Sequence, residues 1–558
     1  MWADQLQVSF SGVEGEQYEN VLARTTIYQQ RDNPRLTNWE IRRLHVQVPR
    51  EVAAALAPFG YYSPVVHGEL VREQEGWSVD YVIDPGVPVL VAGIAVEVSG
   101  QGKTQLAGLD LAHYIPFRPG DIFYSSLYEQ GKKKILTKVR ELGFLQANLI
   151  EHEVRVHKGN YRAEIRIHLD TGPRFLFGET RIGWTGIDRD LLHRYFPHAV
   201  GEPYSLRRLV RLQTILNESG YFSDVRVLPQ LDEAQDLQIP IVLSLSPVLK
   251  NRYSFGVGYG SDTGARGSIE WRNRLLNSRG HQIRSSLQLS ENARGLEADY
   301  EIPIADPRTD RLIFSTSWID EQWDETNTEF LSGVMAVQHM GPVHQIISSL
   351  EMRDETYHVG VTRGHGFFLL PTLTWTIVMA EQRINTRDGV RLSLTLRGAE
   401  QNVLSDATFF QARLGGKVIL TPFEHWRLSG RFGLGATVVD EVDDLPPSLR
   451  FYSGGDQSVR GYAHKSLGPV DSSGAVIGGR YLMEASVELE RLLGQKWSVA
   501  AFYDTGNAMD DTDVRLVQGV GAGVRYQLPF GRISVDLATA LSEPGLPIRL
   551  HVSMGADL

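Results

Sequence analysis

The spacing of apolar residues along the chain changes character once, near Pro247. From about residue 5 to 247, helix-period and strand-period segments alternate; from about 253 to 558 the helix period nearly vanishes and alternating strands remain. The first part repeats itself. A helical run ending in Gly-aromatic and followed by a strand occurs as Val52–Leu56 into Phe59-Gly60-Tyr61-Tyr62, Ile135–Leu142 into Gly143-Phe144, and Leu209–Leu216 into Gly220-Tyr221-Phe222. Glycine after a helix supplies the left-handed cap, and the aromatic packs the returning strand. Each copy opens with a strand (Leu6–Phe10, Val91–Val98, Phe175–Trp184) and closes with one (Val79–Ile83, Ala163–Leu169, Ile239–Leu245).

The second part predicts sixteen strands, near 253–260, 265–274, 281–290, 294–302, 311–320, 327–339, 343–355, 367–378, 389–399, 407–419, 425–436, 480–490, 496–503, 517–526, 532–540 and 548–555. Val390, Leu392, Leu394 and Leu396 alternate with Arg391, Ser393, Thr395 and Arg397, placing aliphatics on one face only. Strands of about ten residues suit a tilted crossing of a bilayer. Closure into a barrel removes the exposed edges that so large an open sheet would leave. Tight joins at Met340-Gly341-Pro342, Thr421-Pro422-Phe423, Leu492-Leu493-Gly494 and Pro529-Phe530-Gly531 predict short turns at one end, with longer polar loops at the other. The fold class is therefore α+β repeats followed by an all-β transmembrane barrel of sixteen antiparallel strands. Expected boundaries are 1–84, 85–172 and 173–248 for the repeats and 249–558 for the barrel.

Composition narrows the function. The chain has 558 residues, no cysteine and a formal net charge of -11, which excludes disulfides and thiolate metal sites and opposes nucleic-acid binding. Mean hydropathy is -0.21, and no apolar run is long enough for a membrane helix, a test to which barrels are blind. Met1-Trp2-Ala3-Asp4 shows no basic segment followed by an apolar one, so export implies a signal peptide removed ahead of it. The sixteen histidines show no metal-ligand spacing, and neither Thr171-Gly172-Pro173-Arg174 nor the glycines at 256, 258 and 260 lead into a helix as a phosphate loop does. None of these patterns calls for a cofactor. The basic run Gly131-Lys132-Lys133-Lys134 reads as a solvated helix face.

One segment stands apart. Val459-Arg460-Gly461-Tyr462 lies in a long Gly/Ser/Pro-rich connection, about 438–479, which is the sixth at the long-loop end. Glu488 follows on the next strand, and Phe502-Tyr503-Asp504-Thr505-Gly506 on the one after. Strand parity sets Glu488, Phe502 and Asp504 opposite the aliphatic faces, hence inward if those faces meet lipid. A buried arginine needs carboxylates, so Arg460 with these two acids predicts a loop folded back into the barrel. A solvated loop arginine, or a catalytic pair formed by Glu488 and Asp504, are the competing readings.

Together these features resemble the superfamily of outer-membrane assembly proteins that includes BamA and TamA. Val459-Arg460-Gly461-Tyr462 matches its sixth-loop motif, Phe502–Gly506 its aromatic-x-Asp-x-Gly strand motif, and Glu488 the position of the partner acid. Three repeats, and the first strand Gly256-Val257-Gly258-Tyr259 with the turn Asp262-Thr263-Gly264-Ala265-Arg266-Gly267, favour the TamA branch, in which the repeats are polypeptide-transport-associated (POTRA) domains. The terminal Asp557-Leu558 departs from the aromatic ending common in such barrels. The resemblance implies a non-enzymatic factor in the outer membrane of a Gram-negative bacterium, with POTRA domains in the periplasm. It also implies unfolded outer-membrane clients such as autotransporters, outer-membrane lipid and a TamB-like inner-membrane-anchored partner. Glycine gives strand 1 no side chain to pack, so a lateral gate is expected between Gly256, Val257, Gly258 and Tyr259 on strand 1 and Leu550 and Val552 on strand 16. A polypeptide pore through the lumen, and a periplasm-spanning scaffold or lipid-transport component, remain alternatives.

Overall fold

A computed structural model describes residues 5–73, 76–183, 186–260, 264–529 and 531–555. Met1–Asp4, Trp184, Asp262-Thr263, Phe530 and Asp557-Leu558, each used in the sequence reading, lie outside them. Two compact units form, one from the described residues of 1–182, 197–213 and 226–244, the other from those of 183–196, 214–225 and 245–558.

In the first repeat, β1 (Gln5–Ser11) leads through α1 (Gly15–Arg24), α2 (Thr26–Gln29) and α3 (Asn38–Leu56) to β2 (Val65–His67), β3 (Val71–Glu73) and β4 (Gly76–Asp84). Thr37 and Glu40 form a capping box that starts α3. Ile41, Leu44, Val48, Val52 and Ala55, spaced three or four apart, bury one face of α3 beside Leu6, Phe10, Val79 and Tyr81. The second repeat is β5 (Leu90–Ser99), α4 (Ser125–Glu141), β6 (Asn148–His157) and β7 (Arg162–Asp170). The third comprises β8 (Leu176–Ile182), α5 (Arg189–His193), α6 (Leu206–Glu218), β9 (Phe222–Pro229) and β10 (Gln238–Pro247). In each sheet the closing strand is central and parallel to the opening one: β1-β4-β2, β5-β7-β6 and β8-β10-β9. Gly60, Gly143 and Gly220 take φ of 88°, 97° and 78°, the left-handed caps that the repeat predicts.

The barrel is one antiparallel path in sequence order. Its strands are β11 (Asn251–Gly260), β12 (Gly264–Asn273), β13 (Gln282–Ser290), β14 (Ala293–Pro303), β15 (Asp310–Trp323), β16 (Thr326–Met340), β17 (His344–Val359) and β18 (Thr362–Ala380). They continue as β19 (Gly389–Ala399), β20 (Phe409–Phe423), β21 (Trp426–Val439), β22 (Tyr481–Leu492), β23 (Trp497–Met509), β24 (Val517–Leu528), β25 (Gly531–Ala540) and β26 (Ile548–Gly555). Among the described residues no ladder joins β11 to β26, although parts of the two strands approach within 8 Å between Cα atoms. The barrel is thus nearly closed.

Within this second unit, residues of the third repeat grip two barrel turns. The Asp188 amide donates to the Ser278 carbonyl at 2.8 Å and Tyr221 Oη to the Gly280 carbonyl at 2.7 Å. Arg194 Nη2 donates to the Ala305 carbonyl at 2.8 Å. These turns mark the barrel's lower end.

The expected contrast between short lower turns and long upper loops holds in the second half of the barrel and fails in the first. At the upper end β15 and β16 are joined by Asp324-Glu325 alone, and β17 and β18 by Gly360-Val361, whereas the lower connection at 381–388 is longer than either. The extra length resides in the strands instead: β15 to β18 have 14, 15, 16 and 19 residues, not about ten. At about 3.3 Å per residue a strand like β17 runs ~50 Å, and tilted by ~45° still rises past a ~30 Å hydrocarbon layer. Side-chain alternation continues beyond the membrane, so hydrophobic pattern alone does not mark where a strand leaves it.

Candidate functional site

The connection between β21 and β22, residues 440–480, folds inward. Its first limb puts Leu445 and Leu449, both almost fully buried, against Phe368, Leu370 and Phe409, which point inward from β18 and β20. The limb is also held through Ser448, whose hydroxyl bonds the Glu355 carboxylate and accepts from Arg353 Nη1 at 2.7 Å. Glu355 is 0% exposed and takes a further bond from Thr328 Oγ1 at 2.6 Å. Farther along, Lys465 lies 3.5 Å above the Trp323 ring and 2.9 Å from Glu321, both on β15.

Between these anchors sits the motif. Outward Val487 and Leu489 flank inward Glu488 on β22, and outward Tyr503 flanks inward Phe502 and Asp504 on β23, as parity predicts. Arg460 Nε and Nη2 donate to the two oxygens of Asp504 at 2.7 and 3.0 Å, and the Arg460 amide donates to Asp504 at 3.1 Å. Nη1 donates to Glu488 at 2.9 Å and to Asp536 on β25 at 3.1 Å. The guanidinium centre lies 3.3 Å from the Phe502 ring centroid. Asp504 is 0% exposed and Arg460 6%, so the charges are out of bulk water and satisfied by fork-shaped bonds.

The neighbours of the motif fix its backbone. Val459 and Tyr462 bury against Ala540, and Tyr462 Oη donates to the Gln518 carbonyl at 3.3 Å. Gly461 has φ of 100°, and a Cβ there would lie 2.9 Å from the β25 backbone. The Gly461 amide donates to His551 Nε2 on β26 at 3.0 Å. Gly506, opposite Glu484, admits no Cβ either, since the Met483 carbonyl oxygen would be 2.8 Å away.

Sequence reasoning thus brought together Arg460, Glu488, Phe502 and Asp504 but missed Asp536, Arg525, Arg431 and His551. Arg525, 1% exposed, bridges Glu488 at 2.8 Å and also pairs with Asp536. Arg431 bonds the Ser458 carbonyl and stands 3.9 Å from Asp504. The signal was present: Asp536 interrupts Ile533, Val535 and Leu537 at an inward position, and Arg525 does the same between Val524 and Tyr526. The residues expected at the gate lie elsewhere. On β11, Tyr253, Phe255, Val257 and Tyr259 point outward and are 61–90% exposed, while Ser254, Gly256 and Gly258 face inward. Leu550 and Val552 are on the outward face of β26. Among the described residues no cluster of His, Asp and Glu could hold a metal.

Residues 259–556 match the Omp85 superfamily domain, and residues 7–85 match the first POTRA domain of TamA. The outer membrane protein assembly factor BamA of Neorickettsia risticii is 23% identical over 529 residues, covering 87% of this chain and 68% of that protein. Its counterpart in Nitratidesulfovibrio vulgaris is 32% identical over 126 residues, 21% of this chain and 16% of that one. Among solved structures, BamA from Haemophilus ducreyi lacking POTRA domains 1–3 superposes with a TM-score of 0.72 at 14% identity, covering 84% of this chain and 99% of that one. POTRA-like repeats, a sixteen-stranded barrel and an inward loop locked by Arg460 lead to one conclusion: the chain belongs to the Omp85 superfamily.

Proposed function

We propose that the protein is an outer-membrane assembly factor that inserts or secretes client proteins by adding their strands at a lateral gate between β11 and β26. The observation that carries this reading is that, among the described residues, those two strands share no ladder in a sheet otherwise paired throughout. Backbone groups at such a seam cannot be satisfied by lipid, and an incoming strand satisfies them by augmentation. After Arg252, the inward positions of β11 hold Ser254, Gly256, Gly258 and Gly260, so little side-chain packing opposes separation along most of the strand. A Cβ at Gly256 or Gly258 would meet only the side chains of Ser268 and Arg266, so backbone crowding does not demand glycine there. The apolar cluster of Phe368, Leu370, Phe409, Leu445 and Leu449 weighs against a polypeptide pore through the lumen.

In this reading the protein resides in the outer membrane of a Gram-negative bacterium with its repeats in the periplasm. Its clients are unfolded outer-membrane proteins such as autotransporters, and its partner is a TamB-like protein anchored in the inner membrane. The match of residues 7–85 to the first POTRA domain of TamA supports that partner.

Because the chain has no cysteine, a pair at Val257 and Val552, both on the outward face, gives a clean test. Client assembly in membranes is expected to stop when the disulfide forms and to resume on reduction. Full assembly through a locked seam would overturn the proposal.

A further inference from the structure

The lock motif touches more than the strands that supply its acids. His551 is the inward residue of β26 opposite Asp536 of β25 and is 1% exposed. Its Nε2 receives the Gly461 amide at 3.0 Å. A backbone N–H can only donate, so Nε2 carries a lone pair and the ring is neutral with its proton on Nδ1. Opposite it, Asp536 bonds both Arg460 of the loop and Arg525 of β24, and Glu488 of β22 bonds the same two arginines. Gly461 can approach this closely only because it lacks a Cβ, which would collide with Thr539 and Ala540 of β25.

β26 is the terminal strand of the barrel path. On one side it has the ladder to β25, and on the other it faces the seam. A terminal strand held by one ladder swings about that ladder unless a side chain fixes its inner face. Here that side chain is His551, and what it grips is the loop.

We infer that His551 is a positioning residue that ties the last barrel strand to the backbone of the lock motif, so that the loop sets where the seam strand lies. This rests on the lateral-gate reading for its functional meaning, but the tie itself is a separate physical claim. Loop and seam are then coupled: releasing the motif releases β26, and drawing β26 outward pulls on Gly461.

The experiment is amide hydrogen exchange on the full-length protein in lipid nanodiscs, following Gly461 and those amides of β26 that point to β25. In the unsubstituted protein these amides are expected to exchange as one group; rates more than tenfold apart would overturn the tie. His551→Leu fills the space without an acceptor and is expected to raise exchange at both places at least tenfold. His551→Gln keeps a carbonyl acceptor and is expected to restore most of the protection at both. Faster exchange at Gly461 with β26 unchanged would reduce His551 to a loop contact and overturn the inference, as would failure of the glutamine variant to restore protection. Should His551→Leu prevent folding, the unsubstituted protein and the glutamine variant still decide. The disulfide between positions 257 and 552 separates the two claims: client assembly through a locked seam sinks the gate, whereas the exchange results stand or fall on His551 alone.

Discussion

The guanidinium centre of Arg460 lies over the ring of Phe502, 3.3 Å from its centroid, while its nitrogens reach Asp504, Glu488 and Asp536. Face and edge are both used, which only a planar, forked cation can do. Arg460→Ala leaves three inward carboxylates short of a positive partner, and loss of one member of a buried pair costs about 3–5 kcal/mol. We expect the barrel's heat-resistant migration in detergent gels to be lost at a clearly lower temperature, with the N-terminal repeats still folded. Arg460→Lys keeps the charge without the fork and is expected to fall between. Unchanged migration of the alanine variant would remove the lock from the account.

Backbone proximity gives a second test. A Cβ at Gly519 of β24 would stand 2.0 Å from the Arg460 carbonyl, where nothing flexible can give way. Gly519→Ala is expected to displace the motif at a cost toward the upper end of the ~1–3 kcal/mol typical of overpacking. Gly333→Ala, with no atom within 4 Å of the new Cβ, serves as the control and is expected to behave as the parent. Equal heat stability of the two variants would contradict the close approach.

The apolar seal beneath the loop is open to electrical measurement. Leu449 is 0% exposed, and cutting it to alanine removes packing worth about 2–5 kcal/mol at a buried leucine. The parent is expected to be nearly silent in planar bilayers, and Leu449→Ala to raise single-channel conductance well above it. A parent that already conducts steadily would show that the seal does not hold.

Two histidines of the N-terminal repeats make a pH dependence testable. His45 and His198 both have pKa values held below the ordinary histidine value, His45 by burial and His198 by burial and then the charge of Arg208. The neutral ring is favoured in the folded state, so this stability is complete above the unfolded value of about 6.5 and is lost as pH falls through it toward the folded values. In His45 the neutral Nδ1 meets Tyr81 Oη at 2.8 Å. Pulse proteolysis of the full-length protein is expected to show the first repeat opening more readily at pH 5 than at pH 7.5. His45→Gln should flatten that dependence, and an unaltered profile would assign it elsewhere.

Period and parity carried much of this structure. The strand period placed all sixteen barrel strands, and parity alone turned Glu488 and Asp504 inward, because alternation is a local property of the chain. Strand length was less legible. The rows Thr326–Met340 and Thr362–Ala380 keep alternating above the membrane, and no residue type announces the boundary. The acids and bases added by β24 to β26 were missed for a related reason. Asp536 and His551 are unremarkable polar residues until the barrel curls round to bring them against residues 460 and 461.

Arg460 meets acids that lie 28, 44 and 76 residues farther along the chain. Each arrives on a later strand, the last on β25, and His551 follows on β26. Strands β22 and β23 supply two of the acids, and only the penultimate strand adds the third. The full set of bonds around the guanidinium therefore requires β25 in register as well as β22 and β23.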